Sequence, residues 1–233
     1  MQYRRVLIKL SGELLGSIED SVDVVWISRI VKEVSSAVDR GVQVAIVVGG
    51  GNMIRGASLS DQGVGRLSAD TAGMLATVIN GVVLADMFEQ NHMPCEVMSA
   101  LPMPGLAEPF NAKKACQLLE KGTVVIFAGG TGNPLVTTDS AASLRAVEIG
   151  AELLLKATRV DGVYDRDPLE EAMANKFDKI SFNDVIAKEL RVMDMGAFIQ
   201  CQQYSLPIFV FDVNKPNALL DVLRGSGEGT LIS

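Results

Sequence analysis

Residues 129–139 (GGTGNPLVTTD) combine glycines, hydroxyl groups and a carboxylate between a short apolar run and a helical pattern. The run 123–128 is rich in β-branched and aromatic residues, typical of a buried strand, and the apolar spacing over 140–149 predicts a helix. Free backbone N–H groups at such a helix start bind oxyanions, and glycine lets the anion approach closely. By itself the segment is equally consistent with an anion-binding loop and with a tight turn followed by a Thr or Asp helix cap.

Two further glycine loops follow strand-like runs and carry cations. The first run ends in Lys9-Leu10-Ser11-Gly12-Glu13, and the second ends in Gly49-Gly50-Gly51-Asn52 with Arg55 close behind. Ligands of open α/β sheets collect outside the carboxyl ends of the strands, so three such ends predict a shared site for a polyphosphate. Each loop taken singly has a simpler interpretation, with Lys9 as a surface lysine and the glycine run as a plain turn.

Carboxylates are concentrated in residues 157–168 (ATRVDGVYDRDP), which follow another strand-like run. The Asp-Gly and Asp-Pro pairs signal turns. Tyr164 could pack against a nucleobase while the neighbouring acids bind a ribose or order magnesium waters. The alternative is a solvated hairpin capped by aspartates.

Strand-like runs alternate with helical stretches along most of the chain. The apolar runs cover residues 4–10, 42–48, 123–128, 152–156 and 208–211. This alternation predicts an α/β fold with a parallel sheet covered on both faces, formed by a single domain over residues 1–233. Residues 73–88 are apolar over a broader arc than a surface helix requires, which predicts a deeply buried helix. Periodicity favours a core helix slightly over a subunit interface.

Composition excludes several classes of protein. The chain has 233 residues with a net charge of −7, so nucleic acid is not expected as the main partner. The chain has no run of about 18 consecutive apolar residues, so the sequence predicts no membrane span. The first residues lack the pattern of a signal peptide, and Cys95, Cys116 and Cys201 form no CxxC pair, so we expect a cytoplasmic protein with free thiols and no cysteine-bound metal.

Taken in order, the loops resemble the bacterial UMP kinase family over nearly the whole chain. The matching motifs are Lys9-Leu10-Ser11-Gly12-Glu13, Gly49-Gly50-Gly51-Asn52, Arg55-Gly56, residues 73–80 (GMLATVIN), residues 130–134 (GTGNP), Lys156-Ala157-Thr158, residues 160–164 (VDGVY), Asn214-Lys215-Pro216 and residues 229–232 (GTLI). The resemblance implies the amino-acid kinase fold, a three-layer α/β/α sandwich around a mainly parallel central sheet. It also explains why the Rossmann and P-loop patterns are both absent.

The resemblance implies an enzyme that transfers the ATP γ-phosphoryl group to UMP by direct in-line attack, with Mg²⁺ bound to ATP, in pyrimidine nucleotide biosynthesis. The implied ATP ligands are Lys9, Leu10, Ser11, Gly12, Gly51 and Arg55 around the phosphates, with Thr158, Tyr164 and Asp167 on the adenosine side. The implied UMP ligands are Gly50, Asp70, Thr131, Gly132, Asn133, Pro134, Leu135, Val136, Thr137 and Thr138. Lys9 would stabilise the transferring group, and Asp194 matches the family carboxylate that orients it. Asp139 is a third catalytic candidate, with a helix cap as the alternative.

The sequence departs from the family in two regions linked to GTP activation. Residues 16–21 (GSIEDS) replace a Gly-Phe-Gly-Ile-Asp-like segment, and Ala85, Glu89 and Glu96 occupy a region that is basic in many members. Carboxylates there would repel a triphosphate, so we expect weak or absent GTP activation. We also expect feedback inhibition by UTP, which can compete at the retained nucleotide sites, and the family implies a homohexamer built as a trimer of dimers.

Two alternative functions stay open. One is another enzyme of the same fold that phosphorylates a carboxylate or makes carbamoyl phosphate. The other is a catalytically silent nucleotide-binding regulator. Asp70 and the Thr137-Thr138 pair favour a nucleotide acceptor, and the presence of Lys9 and Asp194 counts against a silent protein.

Overall fold

The computed structural model describes residues 1–17, 19–166, 168, 171, 173–190 and 192–233. The strands are β1 (Arg5–Leu10), β2 (Gln43–Val48), β3 (Cys95–Ser99), β4 (Glu108–Pro109), β5 (Val124–Ala128), β6 (Leu153–Thr158), β7 (Val163–Tyr164), β8 (Lys176–Phe177), β9 (Lys179–Ile180), β10 (Ile208–Asp212) and β11 (Thr230–Ile232). The helices are α1 (Gly12–Leu15), α2 (Val24–Asp39), α3 (Gly56–Asp61), α4 (Arg66–Gln90), α5 (Ala112–Glu120), α6 (Thr138–Glu148), α7 (Phe182–Ala187), α8 (Met195–Gln203) and α9 (Ala218–Arg224).

Nine strands form one sheet in the order β4-β3-β5-β2-β1-β6-β10-β11-β9. Every pairing in it is parallel except that of β10 with β11. The antiparallel pair β7 and β8 lies apart as a short ribbon. Because the central strands run in the same direction, the loops that follow β5, β2, β1 and β6 meet at one edge of the sheet.

Successive residues of each central strand point into two different cores. On β1, Val6, Ile8 and Leu10 pack with α2, α4 and α9, whereas Leu7 packs with α5, α6 and α8 on the opposite face. This explains why the strands read as continuous apolar runs, since side chains on both faces are buried. The arrangement is the three-layer α/β/α sandwich with a mainly parallel sheet that the sequence predicted.

The predicted deep burial of the helix over 73–88 is only partly correct. α4 begins earlier, at Arg66, and it buries one face that includes Ala76, Leu84 and Phe88. Its opposite face carries Leu75, Ile79 and Val82, which are 41%, 52% and 42% exposed. The helix packs against only one side of the sheet, so part of its broad apolar arc stays exposed.

α4 is also the one helix in the described part of the chain that is long and apolar enough to cross a membrane. This is weak evidence for a span, because 44% of the apolar window is buried inside the protein and core helices pass the same test.

Sequence reasoning missed β3 and set some bounds differently. The predicted strand over 152–156 runs from Leu153 to Thr158, and the predicted helix over 140–149 begins at Thr138. β3 has the sequence CEVMS, whose glutamate masks an apolar run. β3 forms a strand because it pairs with β5, so its own sequence does not indicate a strand.

Candidate active site

The loops after β1 and β2 pack directly against each other because glycines stand at the points of contact. A Cβ atom added to Gly12 would lie 2.9 Å from the Asn52 nitrogen, and one added to Gly49 would lie 2.7 Å from the Gly12 nitrogen. Either methyl group would force the loops apart. Leu10 ends β1 and Ser11 is the residue before α1, so the predicted ATP-phosphate residues Lys9 to Gly12 adjoin Gly50 and Gly51.

A buried carboxylate bridges two lysines at the carboxyl ends of β1 and β6. Asp139 places one oxygen 2.8 Å from Lys9 Nζ and the other 2.8 Å from Lys156 Nζ. The three side chains are only 13%, 8% and 12% exposed. Lys9 and Lys156 are direct neighbours in the register of the two strands, so their ammonium groups would repel each other without the carboxylate between them.

The charges of this triad shift the pKa values of two members. Burial raises the pKa of Asp139, but attraction by Lys9 and Lys156 outweighs it, so the pKa lies below the ordinary carboxyl value. Burial lowers the pKa of Lys156, which attraction by Asp139 only partly offsets. With all three groups ionised, the triad carries one net positive charge beside the glycine loops. That charge suits a phosphoryl group.

The structure places Asp139 against Lys9, where the sequence predicted Asp194. The carboxylate in contact with Lys9 is Asp139, whereas Asp194 accepts hydrogen bonds from Thr137 Oγ1 and, at 3.3 Å, from Ser140 Oγ. The alternative that Asp139 caps α6 is also not what the structure has. Thr137 is the cap, and its hydroxyl accepts from the Asp139 backbone nitrogen at 3.1 Å.

Asp70 connects α4 to the loop after β5. Its carboxylate accepts from the Leu135 backbone nitrogen at 2.9 Å and from Arg66 Nε at 2.9 and 3.0 Å. Leu135 adopts a φ of 68°, a left-handed conformation that is uncommon for leucine. Within the same loop, Thr131 accepts from the Asn133 nitrogen at 3.2 Å. The remaining predicted residues, Gly132, Pro134, Val136 and Thr138, complete this loop up to the first residue of α6.

Gly50 faces α4 from the neighbouring loop. A Cβ atom added to it would lie 2.7 Å from the Gly73 carbonyl oxygen and 3.1 Å from the Thr77 nitrogen. The predicted UMP residues Gly50, Asp70 and 131–138 are therefore grouped around the first turns of α4. Arg55 lies on the other side of the β2 loop, where its guanidinium contacts Glu13 at 2.5 Å.

The predicted adenosine residues line a cavity of about 580 Å³. Thr158 and Tyr164 contribute polar groups to its wall, and Val160, Leu190 and Val210 contribute apolar surface. Tyr164 donates its hydroxyl to Asp161 at 2.6 Å, a hydrogen bond that raises the pKa of the tyrosine. Asp167, the third predicted residue, lies outside the described residues.

Sequence reasoning assigned no role to four polar residues that support these loops. They are Asn52, Thr77, Asn80 and Lys156. A usable signal was present, because each is buried or nearly so and Lys156, Thr77 and Asn80 interrupt otherwise apolar elements. Buried polar side chains need partners, so such an interruption marks a contact.

The chain is similar to known proteins over nearly its whole length. The model of the amino acid kinase family matches residues 4–212. The uridylate kinase of Coxiella burnetii is 50% identical over 231 residues, which cover 99% of this chain and 95% of that protein. The crystal structure of UMP kinase from Bacillus anthracis has a TM-score of 0.96 at 37% identity and covers 100% of this chain and 97% of that one. The UMP kinase structure from Ureaplasma parvum has a TM-score of 0.94 at 35% identity, with 100% of both chains covered.

Proposed function

This chain belongs to the amino acid kinase family, and from that premise we propose that it is a UMP kinase, which converts ATP and UMP into ADP and UDP. The observation that carries the proposal is the buried Lys9–Asp139–Lys156 triad beside glycine loops at adjacent strand ends. Relatives named uridylate kinase over nearly their full length support UMP as the acceptor. The reaction belongs to pyrimidine nucleotide biosynthesis, and we place the protein in the cytoplasm as a single domain.

In this proposal, each nucleotide occupies its own group of loops. The ATP phosphates lie against residues 9–12, Gly51 and Arg55, with the adenosine in the cavity lined by Thr158 and Tyr164. UMP lies against Gly50, Asp70 and residues 131–138, and the ribose hydroxyls compete with the Leu135 nitrogen for the Asp70 carboxylate. The two phosphate ends then meet beside the triad.

Phosphoryl transfer needs alignment and charge neutralisation more than a strong base. A UMP phosphate oxygen attacks the γ-phosphorus in line, and ADP leaves on the opposite side. Lys9 and Lys156 stabilise the negative charge on the transferring group, while Asp139 holds both ammonium groups at 2.8 Å and keeps them from separating. Asp194 acts indirectly in this proposal: it accepts a hydrogen bond from Thr137 and so fixes the start of α6.

Mg²⁺ is proposed to enter with ATP. Within the described residues, no group of three or more His, Cys, Asp or Glu is placed to hold a metal ion alone. Mg²⁺ keeps several waters and binds largely through substrate phosphates, so the ATP phosphates would be its main ligands. When bound, the ion would neutralise phosphate charge.

A coupled assay of ADP release with UMP, CMP, dUMP and acetylglutamate as acceptors tests the function. We expect turnover with UMP to exceed turnover with the carboxylate acceptor by more than about a hundredfold, because Asp70 and the 131–138 loop suit a ribose phosphate. Preferred turnover with acetylglutamate would favour a carboxylate kinase, and no ADP release with any acceptor would favour a silent regulator. Addition of UTP in the same assay should inhibit, because it competes at the nucleotide sites.

GTP is expected to raise turnover by less than about twofold at fixed ATP and UMP, because the groove between α4 and β3 is acidic. Glu89 and Glu96 line it together with Asp86, and Ala85 supplies no positive charge. The measurement is initial rate against GTP concentration at subsaturating UMP. A rise of tenfold or more would contradict the expectation.

The apolar outer face of α4 supports the proposed homohexamer. Leu75, Ile79 and Val82 follow helical spacing and form a stripe that a second copy of the chain would cover. Sedimentation analysis of the wild type should give a mass near six times 24.9 kDa. The Ile79→Glu variant should dissociate, whereas Val24→Glu on α2, which is similarly exposed but lies outside the stripe, should not. A monomeric wild type would rule the assembly out.

A further inference from the structure

Two buried polar residues of α4 have no part in the mechanism described above. Thr77 and Asn80 are 2% and 3% exposed, and they lie on the face of the helix that looks toward the strand-end loops. Burying a hydroxyl or an amide among apolar residues is unfavourable unless each polar atom finds a partner. Their partners therefore indicate why the two residues stand there.

Thr77 contacts the loop after β5. Its hydroxyl donates to the Met74 carbonyl oxygen at 2.7 Å and accepts from the Gly129 backbone nitrogen at 2.7 Å. Gly129 adopts a φ of 75°, and an added Cβ would lie 2.9 Å from Ser99 Oγ, so this glycine is held from both sides. The bond fixes the first residue of the loop that continues into residues 131–138.

Asn80 contacts the loop after β2. Its amide nitrogen donates to the Gly49 carbonyl oxygen at 2.7 Å and to Asn52 Oδ1 at 2.8 Å, and its oxygen accepts from Asn52 Nδ2 at 3.1 Å. Asn52 donates further to the Ser21 carbonyl oxygen at 2.6 Å. Both ends of the Gly49–Asn52 turn are thus tied to one side chain.

We propose that Thr77 and Asn80 are positioning residues. They set the distance between the loop after β5, which we assign to UMP, and the Gly49–Asn52 turn, which carries the ATP residue Gly51. They are three residues apart on one helix, so a single rigid element contacts the loops after the neighbouring strands β5 and β2. The helix therefore acts as a fixed spacer between the two phosphate sites. This inference rests on the proposed function, because it assigns the loops to UMP and ATP.

The loop assignments predict a selective defect. Gly129 leads only into the UMP loop, whereas the Gly49–Asn52 turn carries both Gly50 for UMP and Gly51 for ATP. Loss of the Thr77 hydroxyl should therefore weaken the use of UMP alone, and loss of the Asn80 amide should weaken both substrates. A residue that only fills the core would lower stability and the amount of active enzyme without favouring one substrate.

The test is steady-state kinetics of full-length wild type, Thr77→Val, Thr77→Ser and Asn80→Ser, with each nucleotide varied while the other is saturating. Thr77→Val should raise KM for UMP about tenfold and leave KM for ATP within about twofold. Thr77→Ser keeps the hydroxyl oxygen and should restore KM for UMP to within about threefold of wild type. Asn80→Ser should raise both KM values about equally.

Circular dichroism melts establish that each variant is folded, and Thr77→Ala replaces Thr77→Val if the latter does not fold. Equal changes in both KM values for the Thr77 variant, unchanged KM values, or a Thr77→Ser defect as large as that of Thr77→Val would overturn the inference. Wild-type protein that releases no ADP with UMP would overturn the proposed function itself and the inference with it. An active wild type with an unselective Thr77 variant would overturn only the inference.

Discussion

Replacement of Lys9 by alanine is expected to lower kcat about a hundredfold to a thousandfold, with a smaller rise in KM for ATP and little change in KM for UMP. The ammonium group lies at the carboxyl end of β1 with its charge directed to the point where the phosphate loops meet. In the transition state the charge is redistributed over the equatorial and leaving oxygens, and a lysine aligned with that distribution contributes more there than in the ground state. The measurement is ADP release under saturating ATP and UMP.

The fold should survive this change, because the remaining charges stay balanced. Without Lys9, Asp139 keeps its contact with Lys156 at 2.8 Å, and the pair is neutral overall. We expect a melting temperature close to that of wild type. Lys179→Ala is a matched control, since that lysine is exposed on the edge strand β9 and should affect neither activity nor stability. Normal turnover in the Lys9 variant would remove this residue from the mechanism.

The central part of the fold could be predicted because its strands are buried on both faces. Composition alone indicates strands at runs such as VLIKL, AIVV and VVIFA, and their alternation with helices predicts a parallel sheet. β3 and the short edge strands could not be predicted, because their sequences are mixed and their pairing partners define them. α4 was predicted only in part, because its broad apolar arc indicated deep burial although one face of the helix is exposed.

The site was harder to predict than the fold, and Asp139 shows why. Locally, an aspartate at a helix start indicates a cap, but Thr137, two residues earlier, already supplies one, so the Asp139 side chain can turn inward. Its partners Lys9 and Lys156 lie 130 and 17 residues away along the chain, so no local pattern contains the triad. Family resemblance indicated a carboxylate for Lys9 but assigned that contact to Asp194.

Replacement of Asp139 by asparagine should damage both stability and turnover, unlike the change at Lys9. The amide keeps the shape of the side chain but leaves two buried ammonium groups side by side with no counter-charge between them. Removing one partner of a buried ion pair typically lowers the free energy of unfolding by about 3–5 kcal/mol. Turnover should fall together with stability, because Lys9 and Lys156 would move apart or one of them would lose its proton.

The pH dependence of stability separates this electrostatic effect from a packing defect. In the wild type, the lowered pKa of Asp139 contributes stability that is present above the unfolded carboxyl pKa and is lost as pH falls through the folded value. The Asp139→Asn variant lacks that contribution. Lys156, whose pKa burial lowers and which loses the attraction of Asp139 in the variant, makes the variant regain stability relative to wild type as pH rises above neutrality. Urea unfolding at several pH values measures both effects, the loss of wild-type stability at low pH and the recovery of the variant above neutrality.

A second substitution tests the cause directly. Asp139→Asn combined with Lys156→Met removes one of the two unpaired cations, so the double variant should regain part of the stability lost in the single variant, although turnover should stay low. Lys156→Met alone leaves the Lys9–Asp139 pair at 2.8 Å and provides the fourth corner of the double-mutant cycle. Additive losses, or an Asp139→Asn variant within about 0.5 kcal/mol of wild type, would mean that the carboxylate does not hold the two lysines together.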